Sequence, residues 1–291
     1  MKNYKRSTSA KSKLKKLFTL AACFVVMLCL VSAGCSNITE PESSYLREDR
    51  SPAWSPDGKL IAYYHYDEKN GSDYPTGLYT IDKDGKDRHL VIEGTTWSPS
   101  WSEDSKRLVF TDGSNISTVK IDGSNLTKIA GAKNVSIVRW SPDGSKIMFV
   151  SERTKINIYS LEKNNIKTIR SGTWANWMVG SSRILYLNGS NLLFCDTEGN
   201  SLGTFYKMNY GEAVDYSVSA FDSLIAIRTP DRIITFYDYS RNKLKTLNSE
   251  GTMIAFSPDS KAIVLPRANG HTKFNLFRVD IDGTNEKQIT F

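Results

Sequence analysis

The 291-residue chain carries a formal charge of +7, with 38 Lys and Arg against 31 Asp and Glu. Lys2, Lys5, Arg6, Lys11, Lys13, Lys15 and Lys16 account for that whole excess, so the remainder is near neutral, and a nucleic-acid partner, which needs a basic face to release counterions, is not expected. Of the four cysteines, Cys23, Cys29 and Cys35 lie near the amino terminus and only Cys195 remains in the folded part, which excludes an internal disulfide.

The basic stretch is followed by Leu17 to Val31, an apolar run without a charge. It is shorter than the roughly 20 residues that a spanning helix needs, and reads as an export signal. The run ends in VSAGC, Ser32, Ala33 and Gly34 standing directly before Cys35. That motif resembles the lipobox of bacterial lipoproteins, which implies cleavage after Gly34 and a lipid on Cys35. The domains expected are therefore a signal peptide over 1–34, a lipidated cysteine and polar tether over 35–50, and a folded domain over 51–291. The resemblance places the protein outside the cytoplasm, anchored by lipid to the cell membrane. The long basic leader points to a Gram-positive cell; in a Gram-negative cell the site would be the periplasmic side of the outer membrane.

From Trp54 onward one pattern recurs. WSPDGKLIAYY begins at Trp54, WSEDSKRLVFT at Trp101, WSPDGSKIMFV at Trp140 and FSPDSKAIVLP at Phe256. WMVGSSRILYL at Trp177 keeps the frame with its turn residues replaced, and SVSAFDSLIAIRT around Ser219 lacks the aromatic. Pro56, Pro142 and Pro258 preset φ for the turn, Asp57, Asp143 and Asp259 bond local backbone, and Gly58 and Gly144 supply positive φ. A second hairpin follows each time, as in LYTIDKDGKDRHL and FNLFRVDIDGTNEKQIT. Four strands per unit of about forty residues, six times over, predict the blades of a propeller that fills one domain.

The Trp-Ser-Pro-Asp-Gly turn with its following Ile-Ala-Tyr strand, and the Ile-Asp-x-Asp-Gly turn at Ile81 to Gly85, resemble the WD40-like repeats of the TolB-type β-propeller family. The likeness covers about Arg47 to Phe291 and implies an all-β, six-bladed propeller of four-stranded antiparallel blades. The stretch from Ser36 to Arg50 leaves no room for the amino-terminal α/β domain that the family's namesake carries. Trp54, Asp57, Trp101, Trp140, Asp143, Trp177, Phe256 and Asp259 are then repeat residues. Each aromatic is expected to pack against the next blade, at about 1.5 to 3 kcal/mol of burial. The closing QITF suggests that the last strand belongs to the last blade and that the ring closes by packing.

Chemistry is sparse. IDKDGKD and VDIDGTNE echo a calcium loop but lack its full ligand set, so no metal and no cofactor are expected. No G-x-S-x-G elbow, P-loop or dinucleotide fingerprint is present. The related oligogalacturonate lyases hold a metal on a cluster of histidines, whereas His65 and His89 here fall on strands of the first blade and His271 in a loop. Cys195 reads as a small buried apolar residue on a strand.

The short turns share one face, so the loops and inter-blade connections share the other. That face collects Tyr66, Tyr74, Trp97, Trp174, Tyr210, Arg267 and His271, residue types that favour interfaces. A monomeric binding or scaffold module for an envelope protein, peptide or glycan is the expectation. The alternative is a cell-surface carbohydrate-active enzyme, a lyase or hydrolase, working at the channel mouth with acids and His271. Trp97 and Trp174 equally suit packing at the start of the inner strands.

Overall fold

Each Ser-Pro-Asp-Gly stretch reverses the chain between two antiparallel strands, and the same side chains do it each time. The serine hydroxyl bonds the turn carboxylate: Ser55 Oγ to Asp57 Oδ1 at 2.7 Å, and Ser102 to Asp104, Ser141 to Asp143 and Ser257 to Asp259 at 2.6 Å. The same oxygen accepts the amide that opens the next strand, from Leu60, Arg107, Lys146 or Ala262, at 2.9 to 3.0 Å. The Ser102 and Ser257 hydroxyls hold the carboxyls of Asp104 and Asp259 below the usual carboxylate range.

The computed structural model describes residues 45–291 apart from 70, 209–214, 220–222 and 271–272, and among these every regular element is a strand. The first four strands are β1 (Arg47–Trp54), β2 (Leu60–Asp67), β3 (Gly77–Asp82) and β4 (His89–Glu93). The next quartet is β5 (Trp97–Trp101), β6 (Arg107–Thr111), β7 (Asn115–Lys120) and β8 (Thr127–Gly131). It is followed by β9 (Ile137–Trp140), β10 (Lys146–Ser151), β11 (Lys155–Ser160) and β12 (Asn165–Ser171). Then come β13 (Thr173–Trp177), β14 (Arg183–Asn188), β15 (Asn191–Asp196) and β16 (Ser201–Lys207). After them run β17 (Asp215–Val218), β18 (Leu224–Arg228), β19 (Ile233–Asp238) and β20 (Lys243–Asn248). The last are β21 (Ala255–Phe256), β22 (Ala262–Ala268), β23 (Lys273–Asp280) and β24 (Lys287–Gln288).

These are the four-stranded antiparallel blades of an all-β propeller, with one correction to the expected six blades: four are seen as such. Strands β5–β8, β9–β12, β13–β16 and β17–β20 form four separate sheets, while the first and last quartets join in one eight-stranded sheet. The join is a parallel ladder of β1 on β23, pairing Arg47 with Lys273 and Glu48 with Phe274. Closure by packing alone, as expected from QITF, is therefore also corrected. β24 pairs with β23 at Phe277 and Arg278, so β1 takes the start of β23 and β24 its far half. β1 begins at Arg47, inside the stretch read as tether, and its Glu48 and Asp49 are buried.

Second strands such as β2 and β10 are buried on both faces, whereas outer strands such as β12 and β20 are mostly exposed. Hydrophobic clusters lie between neighbouring sheets. Trp101 packs with Ala62, Leu78 and Val91, Trp177 with Met148, Val150 and Ile156, and Phe256 with Ala226, Ile234 and Phe236. The repeat aromatics thus face the preceding sheet and not the next, and two of the indoles also find a backbone acceptor there. Trp101 Nε1 donates to the Ala53 carbonyl at 2.9 Å and Trp177 Nε1 to that of Arg139 at 3.2 Å. Cys195 is buried in the cluster around Trp177, and loss of solvent pushes its thiol up to about 11.

At the join, the buried Ile289 packs with Ile61, Tyr63, Tyr79, Val264 and Leu276. Its amide donates to the Leu276 carbonyl at 2.7 Å. Replacing Ile289 with Ala leaves a cavity at the seam, for which a loss of about 2 to 5 kcal/mol is expected. Deleting Gln288 to Phe291 should cost more. Equilibrium denaturation checks both, and a truncated protein that melts like the parent contradicts the assigned seam.

Candidate functional site

Aligning the copies on the repeat aromatic puts two rows of residues in register along the innermost strands. Three positions before it stand Ser51, Ser98, Ile137, Trp174, Asp215 and Met253; one position before it stand Ala53, Ser100, Arg139, Asn176, Ser217 and Ala255. All twelve line a single cavity of about 320 Å³, which is closed further by Trp97, Ile254 and Val218. Its wall is therefore the first strand of every quartet, together with the residues that lead into it.

The upper row is held by irregular backbone. Ser51, Ser98, Trp174 and Met253 have φ between 51° and 54°, and β1, β5 and β13 change register there, between Arg50 and Ala53, Trp97 and Ser100, and Thr173 and Asn176. Each left-handed non-glycine residue costs about 1 to 2 kcal/mol, and a bulge re-aims the side chains that flank it. Here the result is that Trp97 and Trp174 stand at the cavity with 37% and 41% of their surfaces exposed. The Trp97 ring packs on Tyr64, with centroids 4.9 Å apart, and the Trp174 carbonyl accepts a bond from the Tyr216 hydroxyl.

The polar groups of the wall are mostly engaged with one another. Ser98 Oγ accepts the Val138 amide at 3.1 Å, and Ser100 Oγ the Trp140 amide at 3.0 Å. Arg139 donates from Nη1 to Ser98 Oγ at 2.5 Å and to the Val138 carbonyl at 2.9 Å, and from Nε to Asn176 Oδ1 at 3.4 Å. Loss of solvent lowers the Arg139 pKa to about 10. Burial likewise pushes the Asp215 carboxyl up to about 6, while the amides of Met253, Ile254 and Tyr216 and the charge of Arg228 pull it part of the way back. Asp215 Oδ2 has no hydrogen-bond partner among the described residues.

Of the described residues expected on the loop face, only Trp97 and Trp174 are brought together at this cavity. Tyr74 is 46% exposed in the β2–β3 loop, with the Arg88 guanidinium 4.0 Å above its ring. Tyr66 is half-buried on β2. Arg267 lies on β22 and is occupied by Glu286, at 2.7 Å, and Ser249. Tyr210 and His271, like Cys35, lie outside the described residues. His65 is buried with Nδ1 2.6 Å from Asp49 Oδ1, and His89 begins β4. Among the described residues no three His, Cys, Asp or Glu side chains come together. Arg139, Asn176 and Asp215 were not singled out from the sequence; the aligned rows are the signal that finds them.

The family model described as the TolB beta propeller domain matches residues 47–253. Among solved structures, the β-propeller domain of the trilobed protease from Pyrococcus furiosus is similar with a TM-score of 0.57 at 14% identity, over 84% of this chain and 98% of that one. An oligogalacturonate lyase from Vibrio parahaemolyticus gives a TM-score of 0.56 at 10% identity, over 86% and 80% of the two chains. An oligogalacturonate lyase in complex with manganese gives 0.56 at 10% identity, over 85% and 78%. At such identities the likeness is one of fold.

The raised pKa of Asp215 makes a signed prediction. Its folded value lies above the ordinary 3.8, so the stability it confers is full below about pH 4 and is lost as the pH rises through about 6. Asp215→Asn removes that loss. Melting temperatures between pH 4 and 8 should fall less for the variant than for the wild type, with the variant the more stable at pH 8. Parallel profiles contradict the assignment.

Proposed function

The chain belongs to the TolB beta propeller domain family, and we propose that it is a non-enzymatic cell-envelope lipoprotein that binds a protein, peptide or glycan at the mouth of its central cavity. One observation carries the reading: Trp97 and Trp174, each more than a third exposed, flank the same cavity at bulges that cost backbone strain. Exposed indoles on a rigid scaffold are the side chains that dominate recognition surfaces, and strain at such positions accompanies function. The leader and VSAGC support lipid anchoring through Cys35, hence an extracytoplasmic place on the membrane. We read the ring as six four-stranded units, the first and last fused, acting as a monomer without a cofactor.

A second reading, a carbohydrate-active enzyme at the same mouth, is supported by Asp215. A carboxyl that titrates near 6 at a cavity suits general-acid work, and the oligogalacturonate lyases share the fold.

The test uses the full chain in detergent, incubated with envelope extract and with wall polysaccharide, in parallel with a Trp97→Ala, Trp174→Ala double variant. A melting temperature within a few degrees of the parent is expected for the variant, since both rings are already partly exposed. A ligand retained by the parent and lost by the variant supports the binding module. Polymer cleavage abolished by Asp215→Asn would replace it with the enzyme.

A further inference from the structure

The lower row of the cavity is Ala53, Ser100, Arg139, Asn176, Ser217 and Ala255. Five of these are short and neutral, and the sixth is an arginine. A propeller channel needs small residues where its first strands converge; it does not need a guanidinium. Arg139 is half-buried, and a charge drawn back from bulk water is normally paired, yet no carboxylate neighbours Arg139 among the described residues. The one titratable group that bears on it is the Tyr216 phenol, and the Tyr216 hydroxyl is already spent on the carbonyls of Trp174 and Leu185.

The three bonds that Arg139 makes, to Ser98, Val138 and Asn176, all go to neutral oxygens and use only Nη1 and Nε. Nη2 has no acceptor among the described residues. The guanidinium is thus oriented by the strands on either side of β9, carries its charge on the half-buried cavity wall, and keeps one donor edge free. A carboxylate is the group that satisfies all three conditions, since N–H donors paired with an ionised acceptor make the strongest hydrogen bonds available.

Charge and wall narrow the rest of the ligand. Among the described residues Arg139 is the only Lys or Arg at the cavity and Asp215 shares it, so a monoanion fits better than a phosphate dianion. Ile137, Val218, Met253, Ile254, Trp97 and Trp174 make much of the wall apolar. The Ser98 and Ser100 oxygens already accept backbone amides, and the Asn176 amide donates to the Trp174 carbonyl at 3.3 Å. Asp215 Oδ2, which has no partner among the described residues, would take one sugar hydroxyl, but each further hydroxyl left unpaired against the apolar part of the wall would cost about 1 to 3 kcal/mol. An apolar side chain carries no such cost.

We infer that Arg139 anchors the carboxylate of an apolar acid, and that the ligand class is a peptide whose carboxy-terminal residue enters the cavity past Trp97 and Trp174. The inference rests on the binding-module reading of the same cavity and names its ligand chemistry.

The probe is N-acetylleucine, a minimal carboxy-terminal residue, compared with its neutral amide and with glucuronate, by tryptophan fluorescence and calorimetry on the full chain. The acid should bind saturably, at least tenfold more tightly than the amide and than glucuronate. Arg139→Gln, which keeps a donor toward Ser98, should bring acid and amide to equal affinity. Should that variant fail to fold, the acid-to-amide ratio on the wild type still decides. Equal binding of acid and amide by the wild type, or tighter binding of glucuronate, overturns the inference. If acid and amide bind equally and Trp97→Ala weakens both, the cavity remains a binding site and only the carboxylate anchor falls. If no compound binds, the inference falls, while the binding-module reading still stands or falls on capture from envelope extract.

Discussion

The parallel pairing of Arg47 and Glu48 with Lys273 and Phe274 is the constraint on which the rest of the structure depends. Four of the quartets are separate sheets, held to their neighbours through side chains, but the first and last share hydrogen bonds. The ladder is short and is reinforced from inside. Asp49, next along β1, is buried against His65, and Tyr63 and Tyr79 of the first quartet pack with Val264, Leu276 and Ile289 of the last. The Lys287 ammonium adds a bond to the Asp84 carbonyl at 2.8 Å. A ring tied in this way converges its innermost strands on one axis, and the cavity is what remains between them.

Two opposing terms shape that cavity. Burial of the repeat aromatics between sheets contributes about 1.5 to 3 kcal/mol each and fixes the lower end, where turns of neighbouring quartets also touch. The Asp57 amide donates to Ser105 Oγ at 3.1 Å, the Asp143 amide to Ser181 Oγ at 3.0 Å, and Ser219 meets Ser260 at 2.6 Å. The upper end accepts left-handed backbone at Ser51, Ser98, Trp174 and Met253. Since the aromatic term exceeds the strain, the scaffold tolerates a mouth that displays two tryptophans and encloses one arginine.

The fold was legible because its repeat is local chemistry. A serine, an aspartate and a positive φ make the turn, and the hydroxyl-to-carboxylate bond at Asp57, Asp104, Asp143 and Asp259 recurs with a spread of only 0.1 Å. The copies that look degenerate follow from the same physics. Ser105, Ser181 and Ser260 stand where glycine is expected, keep φ near 56°, and use their hydroxyls to hold the neighbouring turn. The seam was not legible, because a two-residue parallel ladder between distant segments leaves no periodic trace. Arg139 escaped for a different reason: within VRW it reads as an exposed strand residue, and only comparison with Ala53 and Ala255 at the same position shows that it faces the axis. Tyr74 and Arg267 were placed on the loop face by topology, but each has a partner of its own, Arg88 for the first and Glu286 for the second.

A closed ring is what preorganises the cavity, and the most direct measurement of it is amide hydrogen exchange at the seam. If the ladder closes the ring, the amides of residues 47–49 and 273–275 exchange only through global unfolding, as slowly as those of the fully buried β10. Exchange at the rate of the exposed β12, with β10 still protected, would show a ring open at that point and would contradict the fixed geometry assigned to Trp97, Trp174 and Arg139.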